Sequence, residues 1–281
     1  MKDKKLITCF LALFLVLVCC PAAAPASAEE FSWPQGKRAA VSLTFDDARE
    51  SQLDVGLPLL NRYGVKATFY VLPNMVKPRL SDWKKAVNAG HEIGNHSLNH
   101  PCTGNYPFIK ENALEYYTLE RMTDELDTAN LAIERMLGVR PTSFAYPCGQ
   151  TFVGRGQNVQ SYVPLIAKSF LTGRTFGDTV ANKPDFCDFA QITSINIDGL
   201  SVNKIRALVD EAAEKGSWLV LGGHEIGTSS GPQVTQTETL AAFCEYANDP
   251  QNGIWVATVT EIATYIDSHR KLKSNIPSVK P

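Results

Sequence analysis

Short apolar segments alternate with amphipathic helical patterns along most of this chain, and this alternation constrains the fold more than any other feature. The candidate strands are short, apolar or β-branched, and bounded by turn residues. They are AAVSLTF (39–45), VKATFYVL (65–72), TSFAY (142–146), SWLVLGG (217–223) and IWVATV (254–259), with HEIGN (91–95) and QITSINI (191–197) as weaker candidates.

The helical stretches place apolar residues three or four positions apart, which is the spacing of one helix face. They cover residues 114–137, 201–216, 237–247 and 260–269. Strands that alternate with helices predict a parallel sheet with helices outside it, either open or closed into a barrel. In both architectures ligands bind at the carboxyl ends of the strands. Residues that carry chemistry should therefore follow strands directly.

The N-terminus has the pattern of a secretory signal peptide over residues 1–28. A lysine-rich start precedes the apolar run ITCFLALFLVLVCC, and Ala26-Ser27-Ala28 offers a small-x-small cleavage site. The run is too short for a comfortable transmembrane span. The LVCC segment (17–20) weakly resembles a lipoprotein signal, so lipid anchoring is an alternative. We predict a chain that is secreted, or lies in the periplasm or cell envelope, after cleavage.

The rest of the chain is predicted to form one domain. Removing 28 of the 281 residues leaves 253, which is long for a single domain but within the range of an α/β barrel. We expect a short leading segment at 29–37, the folded domain at 38–270, and a flexible tail at 271–281. The full chain has a formal net charge of −2 and no basic run, so nothing suggests nucleic acid as a partner.

Two adjacent carboxylates, Asp46 and Asp47, follow the first predicted strand. Like charges repel, so each of these groups needs a partner or a proton. One carboxylate could cap a helix while the other is solvated. Alternatively, a metal binds one carboxylate and the other stays free as a base.

Two histidines, His96 and His100, follow the HEIGN segment. Residues at i and i+4 share one side of a helical turn, so both rings can reach one ion. Pro101 limits any helix beyond them. Two solvated histidines are the alternative interpretation. His91 lies inside the strand-like segment, and we interpret it as a structural hydrogen-bonding residue.

Two more strand ends carry suggestive residues. TSFAY leads into the tight turn Pro147-Cys148-Gly149, and SWLVLGG leads into His224. Together, the four strand ends provide the parts of a hydrolytic metal site. One carboxylate and two imidazoles can hold a divalent ion, and a second carboxylate can take a proton from water. A histidine can protonate the leaving group, and a backbone N–H can stabilise the oxyanion.

These motifs resemble those of the polysaccharide deacetylases of carbohydrate esterase family four, the NodB homology domain. The matching segments, in the family's order over residues 39 to about 225, are Thr44-Phe45-Asp46-Asp47, His96-Ser97-Leu98-Asn99-His100, FAYPCG (144–149), more weakly Asp198-Gly199, and Leu221-Gly222-Gly223-His224. The resemblance implies an α/β fold, a distorted parallel (β/α) barrel, usually of seven strands.

The resemblance also implies a function and a role for each residue. It implies a metal-dependent hydrolase that removes N- or O-linked acetyl groups from an acetylated glycan, with Zn²⁺ as the first choice of metal and Co²⁺ or Ni²⁺ as alternatives. Asp47, His96 and His100 would bind the metal, Asp46 would be the base and His224 the acid. The Cys148 N–H would bind the oxyanion, and Leu221, Tyr146 and Asp198 would border the pocket.

The chain departs from the family pattern at two positions. The arginine of the third motif, which orients the base, is Ala145 here, so Asp46 needs another partner. Arg174, after a strand-like FLTG segment, is the first candidate and Arg140 the second. The tryptophan of the fourth motif is replaced by Gly199, which alters part of the substrate groove.

Four of the seven cysteines follow the signal peptide: Cys102, Cys148, Cys187 and Cys244. In an exported protein they could form two disulfides in any of three pairings. If the second and third motifs converge as the resemblance implies, Cys102 and Cys148 are neighbours and should form one disulfide. Metal ligation by free thiols is the alternative. Cys187–Cys244 would be the remaining pair.

Two other functions are compatible with the residues. The first is hydrolysis of a cyclic amide or ureide on the same barrel, and the second is non-catalytic carbohydrate binding. A complete set of base, acid and metal ligands argues against the second. Trp83, Tyr106, Phe108 and Phe152 could line a sugar groove, although each is more often a packing residue. The sequence does not indicate the glycan or the oligomeric state.

Overall fold

The computed structural model of the protein describes residues 31–109 and 111–274. The predicted signal peptide and lipoprotein-like segment lie outside the described residues, as do residues 275–281. Within the described ranges, no helix combines the length and the apolar character needed to cross a membrane.

Strands and helices alternate as the sequence predicts. The strands are β1 (Ala39–Asp46), β2 (Ala67–Val71), β3 (Glu92–Asn95), β4 (Ser143–Ala145), β5 (Phe152–Val153), β6 (Gln160–Ser161), β7 (Thr172–Arg174), β8 (Ile195–Asn196), β9 (Trp218–Gly223), β10 (Glu225–Gly227), β11 (Val234–Gln236) and β12 (Ile254–Val256). The helices are α1 (Leu57–Tyr63), α2 (Pro73–Val76), α3 (Leu80–Asn88), α4 (Leu119–Leu137), α5 (Val163–Ser169), α6 (Val202–Glu214), α7 (Thr237–Asn248) and α8 (Val259–Ser274).

The main sheet is parallel and follows the order β7-β4-β3-β2-β1-β9-β8, with β12 paired to the first residues of β1. Ile192, just before β8, forms a parallel bridge with Arg174 at the end of β7. The two edges of the sheet thus approach each other, and seven parallel strands curl into a distorted barrel. The fold class predicted from the sequence is confirmed.

Burial and capping explain why these segments adopt these structures. Every residue of β1 is buried, as expected for a central parallel strand covered on both faces. Helix α4 begins after Thr118, whose hydroxyl accepts the Arg121 N–H, and ends at Gly138 in the left-handed conformation. Helix α6 begins after Ser201, which accepts the Lys204 N–H. Capping thus places the start of α4 later than residue 114.

The ends of the domain extend beyond the predicted boundaries. Trp33, in the leading segment, is buried, and its indole N–H donates to the Gly216 carbonyl at 3.1 Å. Helix α8 continues through Ser274, past the position where the sequence predicted a tail to begin. Lys271 forms an ion pair with Asp267 one turn earlier. The last predicted strand is also shorter, because α8 begins at Val259.

The predicted Cys187–Cys244 disulfide is wrong, because both cysteines are free. Cys244 is buried in the large cluster formed by α7, α6 and the first strands. Cys187 packs against the separate cluster around Trp33 and Trp218, next to the Arg270 guanidinium. Sequence spacing alone did not reveal that the two residues belong to different parts of the core.

Candidate active site

The ends of β1 and β3 bring one carboxylate and two imidazoles together. Asp47 follows β1, and its Oδ1 lies 3.5 Å from the Nε2 atoms of both His96 and His100. The three possible ligand atoms all lie within 4.8 Å of one another. This is the ligand group that the sequence predicted.

The backbone around these residues is strained. Of the six non-glycine residues with positive φ among the described residues, five lie here: Asp47 (74°), Ala48 (55°), Ser97 (71°), His100 (51°) and Cys148 (54°). Such conformations are uncommon for L-residues and persist where the surroundings fix them, often at functional sites.

Hydrogen bonds to neighbouring side chains hold the loop that carries the two histidines in place. Glu125, buried on α4, accepts the N–H groups of Leu98 and Asn99 at 3.0 and 2.5 Å. Asn95 accepts the Ser97 N–H at 2.6 Å, and the Ser97 hydroxyl accepts the His100 N–H at 2.9 Å. Glu125 was not among the residues predicted from the sequence. Its one signal there is that it is an acidic residue beside Met122 and Leu126 on the apolar face of α4.

Both histidines are arranged to present a free nitrogen. The Nδ1 of His96 lies 2.9 Å from the Ala145 carbonyl, so it donates there and leaves the Nε2 lone pair facing Asp47. Burial, together with the nearby His96, lowers the pKa of His100 to about 4. His100 is therefore neutral at physiological pH and can act as a ligand.

Asp47 is kept ionised, and only one of its two carboxylate oxygens remains available to a metal. Burial opposes its ionisation, but its contacts with His96, His100 and Arg49 prevail and hold its pKa well below the usual range. Arg49 donates to Oδ2 from Nη2 at 2.9 Å and from Nε at 3.1 Å, which leaves Oδ1 for the histidines. Arg49 also lies 3.5 Å from Glu225. Arg49 was not among the residues predicted from the sequence.

This donor set fits a divalent metal. One carboxylate oxygen and two imidazole nitrogens suit zinc and leave coordination positions for water and substrate. A second group of possible ligands combines His100 with Cys102 and Cys148. Those two cysteines are joined in a disulfide, so neither can supply a thiolate.

Asp46 and Arg174 form a buried ion pair. The Nη2 of Arg174 lies 2.5 and 2.6 Å from the two carboxylate oxygens, and both side chains are almost completely buried. The Arg174 guanidinium also lies over the rings of Tyr70 and Phe176. An arginine at the end of β7 therefore pairs with Asp46, whereas the third-motif position that holds an arginine in the family is Ala145 in this chain. Arg140, the second candidate, is exposed and pairs with Glu134 instead.

His224 forms a pair with Asp198. Its Nδ1 lies 2.6 Å from Asp198 Oδ2, while Asp198 Oδ1 accepts the His224 N–H and the Thr235 hydroxyl. Burial disfavours the charged imidazole, but Asp198 and the carboxylate of Asp46 outweigh it and raise the pKa of His224. Asp198, predicted as a pocket residue, thus contacts the predicted acid directly.

The third motif forms a tight turn with one N–H left for a ligand. The N–H groups of Gly149 and Gln150 donate to the carbonyls of Tyr146 and Pro147. Within the described part of the chain, the Cys148 N–H has no such partner. The Cys102–Cys148 disulfide fastens this turn to the segment after His100.

The remaining predicted pocket residues are mostly packed in the core. The Tyr146 hydroxyl donates to the Ala190 carbonyl at 2.7 Å, and its ring packs on Phe144 and Tyr162. Its side chain therefore lies in the core. Leu221 is also fully buried within β9.

Of the four candidate groove aromatics, two are core residues and two are exposed. Trp83 is completely buried, and Phe152 packs against the core. Tyr106 and Phe108 are exposed and stack on each other with centroids 5.2 Å apart. Phe176 is an aromatic residue that the sequence analysis missed, and its ring lies 5.1 Å from that of His224.

Comparison with known proteins supports the resemblance that the motifs indicated. Residues 34–162, just under half of the chain, match the family model described as polysaccharide deacetylase.

Relatives of known sequence match part of the chain. The uncharacterized protein YlxY of Bacillus subtilis is 39% identical over 97 residues, which are 34% of this chain and 27% of that protein. A peptidoglycan-N-acetylglucosamine deacetylase of Bacillus cereus is 33% identical over 121 residues, 43% of this chain and 40% of that protein. The chain spans less than half the length of these two relatives.

A solved structure matches over most of the fold. The Xyl-CE4 domain of a multidomain xylanase from the hindgut metagenome of Trinervitermes trinervoides has a TM-score of 0.52 and 21% identity. The match covers 81% of this chain and 90% of that domain. At this identity the likeness concerns the fold alone.

Proposed function

We propose that this protein is an exported, metal-dependent deacetylase that hydrolyses the acetyl group from the nitrogen or oxygen of a glycan. The observation that carries the proposal is that three groups of residues lie together at the carboxyl ends of the barrel strands. These groups are the Asp47–His96–His100 ligand group, the Asp46–Arg174 pair and the Asp198–His224 pair. A binding protein would not need all three.

Asp47, His96 and His100 would hold the metal. A divalent ion at this position supplies Lewis acidity, which polarises the acetyl carbonyl and makes water easier to deprotonate. The protein's own contribution is to orient the His96 ring through the Ala145 carbonyl and to keep the His100 imidazole neutral through its buried environment.

Asp46 would be the base that takes a proton from the attacking water. Arg174 supports this role because its guanidinium balances the charge of the buried carboxylate and fixes its orientation. Gln52 ties the two sides of the site together, since its side-chain amide donates to the backbone carbonyls of Asp46 and His224 at 2.5 and 3.0 Å.

His224 would be the acid that protonates the leaving nitrogen or oxygen. Asp198 accepts a hydrogen bond from the Nδ1–H of His224, so the Nε2–H remains available to the substrate. The raised pKa of His224 favours the protonated form that an acid needs. The Cys148 N–H would stabilise the oxyanion of the tetrahedral intermediate.

The substrate is proposed to be an acetylated polysaccharide outside the cytoplasm, such as that of a cell wall. Two observations support an acetylated glycan of this kind. One relative is named as a peptidoglycan-N-acetylglucosamine deacetylase, and the N-terminal sequence has the pattern of an export signal.

Acetate release tests the proposal. The purified mature chain, loaded with Zn²⁺ or Co²⁺, is incubated with N-acetylglucosamine oligomers, peptidoglycan and acetylated xylan, each with and without a chelator. We expect at least one substrate to release acetate in a reaction that the chelator abolishes. The identity of that substrate distinguishes N- from O-deacetylation. Acetate release that is unaffected by complete metal removal would refute the metal-dependent mechanism.

A further inference from the structure

His100 presents its two ring nitrogens to two different groups. Its Nε2 lies 3.5 Å from Asp47 Oδ1, and its Nδ1 lies 3.6 Å from the Cys102 sulfur. His96, the other predicted histidine ligand, has the Ala145 carbonyl at its second nitrogen instead. A carbonyl is a usual partner for the second nitrogen of a metal-binding histidine. A cysteine sulfur, by contrast, is itself a metal ligand once it is a thiolate.

The sulfur beside His100 belongs to the Cys102–Cys148 disulfide. The ligand atoms of His100, Cys102 and Cys148 all lie within 4.8 Å of one another. Thiolate sulfurs around a tetrahedral zinc ion are about 3.8 Å apart, since each Zn–S bond is about 2.3 Å long. The three side chains are therefore close enough to bind one ion once the two sulfurs are no longer bonded to each other.

Hydrogen bonds keep the two cysteines together independently of the disulfide. The N–H of Thr103, the residue after Cys102, donates to the Gln150 side chain at 2.7 Å. The Leu114 N–H donates to the Cys102 carbonyl at 2.9 Å, and the turn that carries Cys148 is closed by its own backbone hydrogen bonds. Breaking the sulfur–sulfur bond should therefore leave both thiols near His100.

One end of the disulfide is accessible to a reductant. Cys102 is completely buried, whereas Cys148 is partly exposed. The thiolate of an external dithiol can therefore attack the Cys148 sulfur and release the Cys102 sulfur. The second thiol of the reductant then displaces the Cys148 sulfur, and the reductant leaves as a cyclic disulfide. Two electrons and two protons have then passed from the dithiol to the two cysteines.

The reduced cysteines would compete with Asp47 for a metal. Two thiolates and one imidazole form a ligand set that suits zinc, and the two thiolates carry two negative charges against one on Asp47. The two thiol protons go to solvent when the metal binds. A neutral imidazole that binds an ion through Nδ1 carries its proton on Nε2. His100 therefore serves either the thiolates or Asp47, but not both at once.

We propose that reduction of the Cys102–Cys148 disulfide creates a second metal site, formed by both thiolates and His100 Nδ1, which competes with the Asp47–His96–His100 group for one ion. The second site goes beyond the proposed function, and only its effect on turnover rests on that function. The disulfide thereby acts as a redox switch, because only the oxidised chain leaves His100 Nε2 to the site that would hydrolyse the acetyl group.

Cobalt absorption tests the second site. The wild-type protein, either oxidised or reduced anaerobically with a dithiol that is then removed, is titrated with Co²⁺. Thiolate ligands give Co²⁺ a near-ultraviolet charge-transfer band that carboxylate and imidazole ligands do not give. We expect the band only in the reduced protein, and we expect Cys102→Ser/Cys148→Ser to abolish it. Cys187→Ser, which removes a free cysteine that packs against another core cluster, should keep it.

Two histidine variants separate the two sites. His96→Gln removes a ligand from the first site only. It should weaken Co²⁺ binding to the oxidised protein by at least about tenfold, the effect of losing even an indirect support of a metal site, and should keep the band of the reduced protein. His100→Gln removes a ligand from both sites, so it should weaken Co²⁺ binding in both redox states.

Acetate release tests the competition. With one equivalent of Zn²⁺ and at least about a tenfold preference for the thiolates, about nine reduced chains in ten lose the ion from the first site. Acetate release should then fall about tenfold on reduction and recover on reoxidation. The Cys102→Ser/Cys148→Ser variant lacks both the cross-link and the thiolates, so it should be faster than the reduced wild type. An equal rate would assign the loss to the broken cross-link and overturn the competition.

The outcomes distinguish this proposal from the proposed function. A reduced wild-type protein without the charge-transfer band overturns the second site. So does a band that appears only when near-ultraviolet circular dichroism shows loss of tertiary packing, or one whose Co²⁺ affinity His100→Gln leaves unchanged. If the oxidised protein releases no acetate, the proposed function fails, while the cobalt titration still decides whether the second site exists.

Discussion

Replacing Arg174 by glutamine tests whether Arg174 performs the role of the third-motif arginine, which this chain lacks. The change keeps a polar side chain of similar length but removes the charge that faces Asp46. Both partners are almost fully buried, with 0% and 4% of their side chains exposed. Removing one partner of such a pair leaves a buried charge without compensation, which costs about 3–5 kcal/mol. We therefore expect the free energy of unfolding to fall by about that amount.

The same substitution should affect turnover. If Asp46 is the base, losing its orienting cation should lower kcat by about 10²–10⁴, the usual contribution of general acid–base catalysis. Urea unfolding gives the stability change, and acetate release gives the rate. The double variant Asp46→Asn/Arg174→Gln should be more stable than the sum of the single effects implies, because it removes both charges.

Arg140→Gln is the matched control. Arg140 forms an exposed pair with Glu134 on the protein surface, and such pairs contribute about 0–1 kcal/mol. If Arg174→Gln destabilises the protein no more than Arg140→Gln does, or if it retains the wild-type kcat, the account of the Asp46–Arg174 pair is wrong.

Three further predictions concern stability and the ligand loop. Replacing Cys102 and Cys148 together by serine should lower the free energy of unfolding by about 2–4 kcal/mol, since the disulfide closes a loop with a sequence separation of 46; denaturant titration measures this. Burial and the nearby Lys66 lower the pKa of His91 from 6.5 to about 4. As pH falls, the unfolded chain therefore binds a proton at His91 before the folded chain does. The free energy of unfolding should decline by about 3 kcal/mol as pH falls from about 6.5 to about 4. His91→Gln should flatten that decline, and an unchanged profile would exclude His91 as its source. Glu125→Gln should weaken Zn²⁺ binding about tenfold in competition with a chelator, because it disturbs the bonds that shape the histidine loop; unaltered affinity would count against that role.

Local patterns were sufficient to predict the parallel sheet and the main candidate residues, whereas the barrel was implied by the family resemblance. Short apolar runs bounded by turn residues identified β1, β2 and β9, and the rule that ligands gather at strand ends singled out Asp46, Asp47 and His224. His91 is a structural hydrogen-bonding residue as predicted, since its Nδ1 accepts the Ala67 N–H at 3.1 Å. These features depend on neighbours in sequence or on the general geometry of parallel sheets.

Features that depend on side-chain direction were harder to predict. Tyr146 belongs to the third motif, yet its ring points into the core, because alternate residues of a strand face opposite sides. Arg49 and Glu125 support the ligand loop through contacts that no motif marks. Cys187 and Cys244 lie in different core clusters, a separation set by packing between distant segments.

The most direct test of the central claim is the turnover of Asp46→Asn at matched zinc content. The substitution removes the proposed base while leaving Asp47, His96 and His100 to hold the metal. We predict that the variant binds one equivalent of Zn²⁺, as the wild type does, and releases acetate at least about a hundredfold more slowly from the same glycan. A variant that binds zinc and retains the wild-type rate would contradict the assignment of Asp46 as the catalytic base.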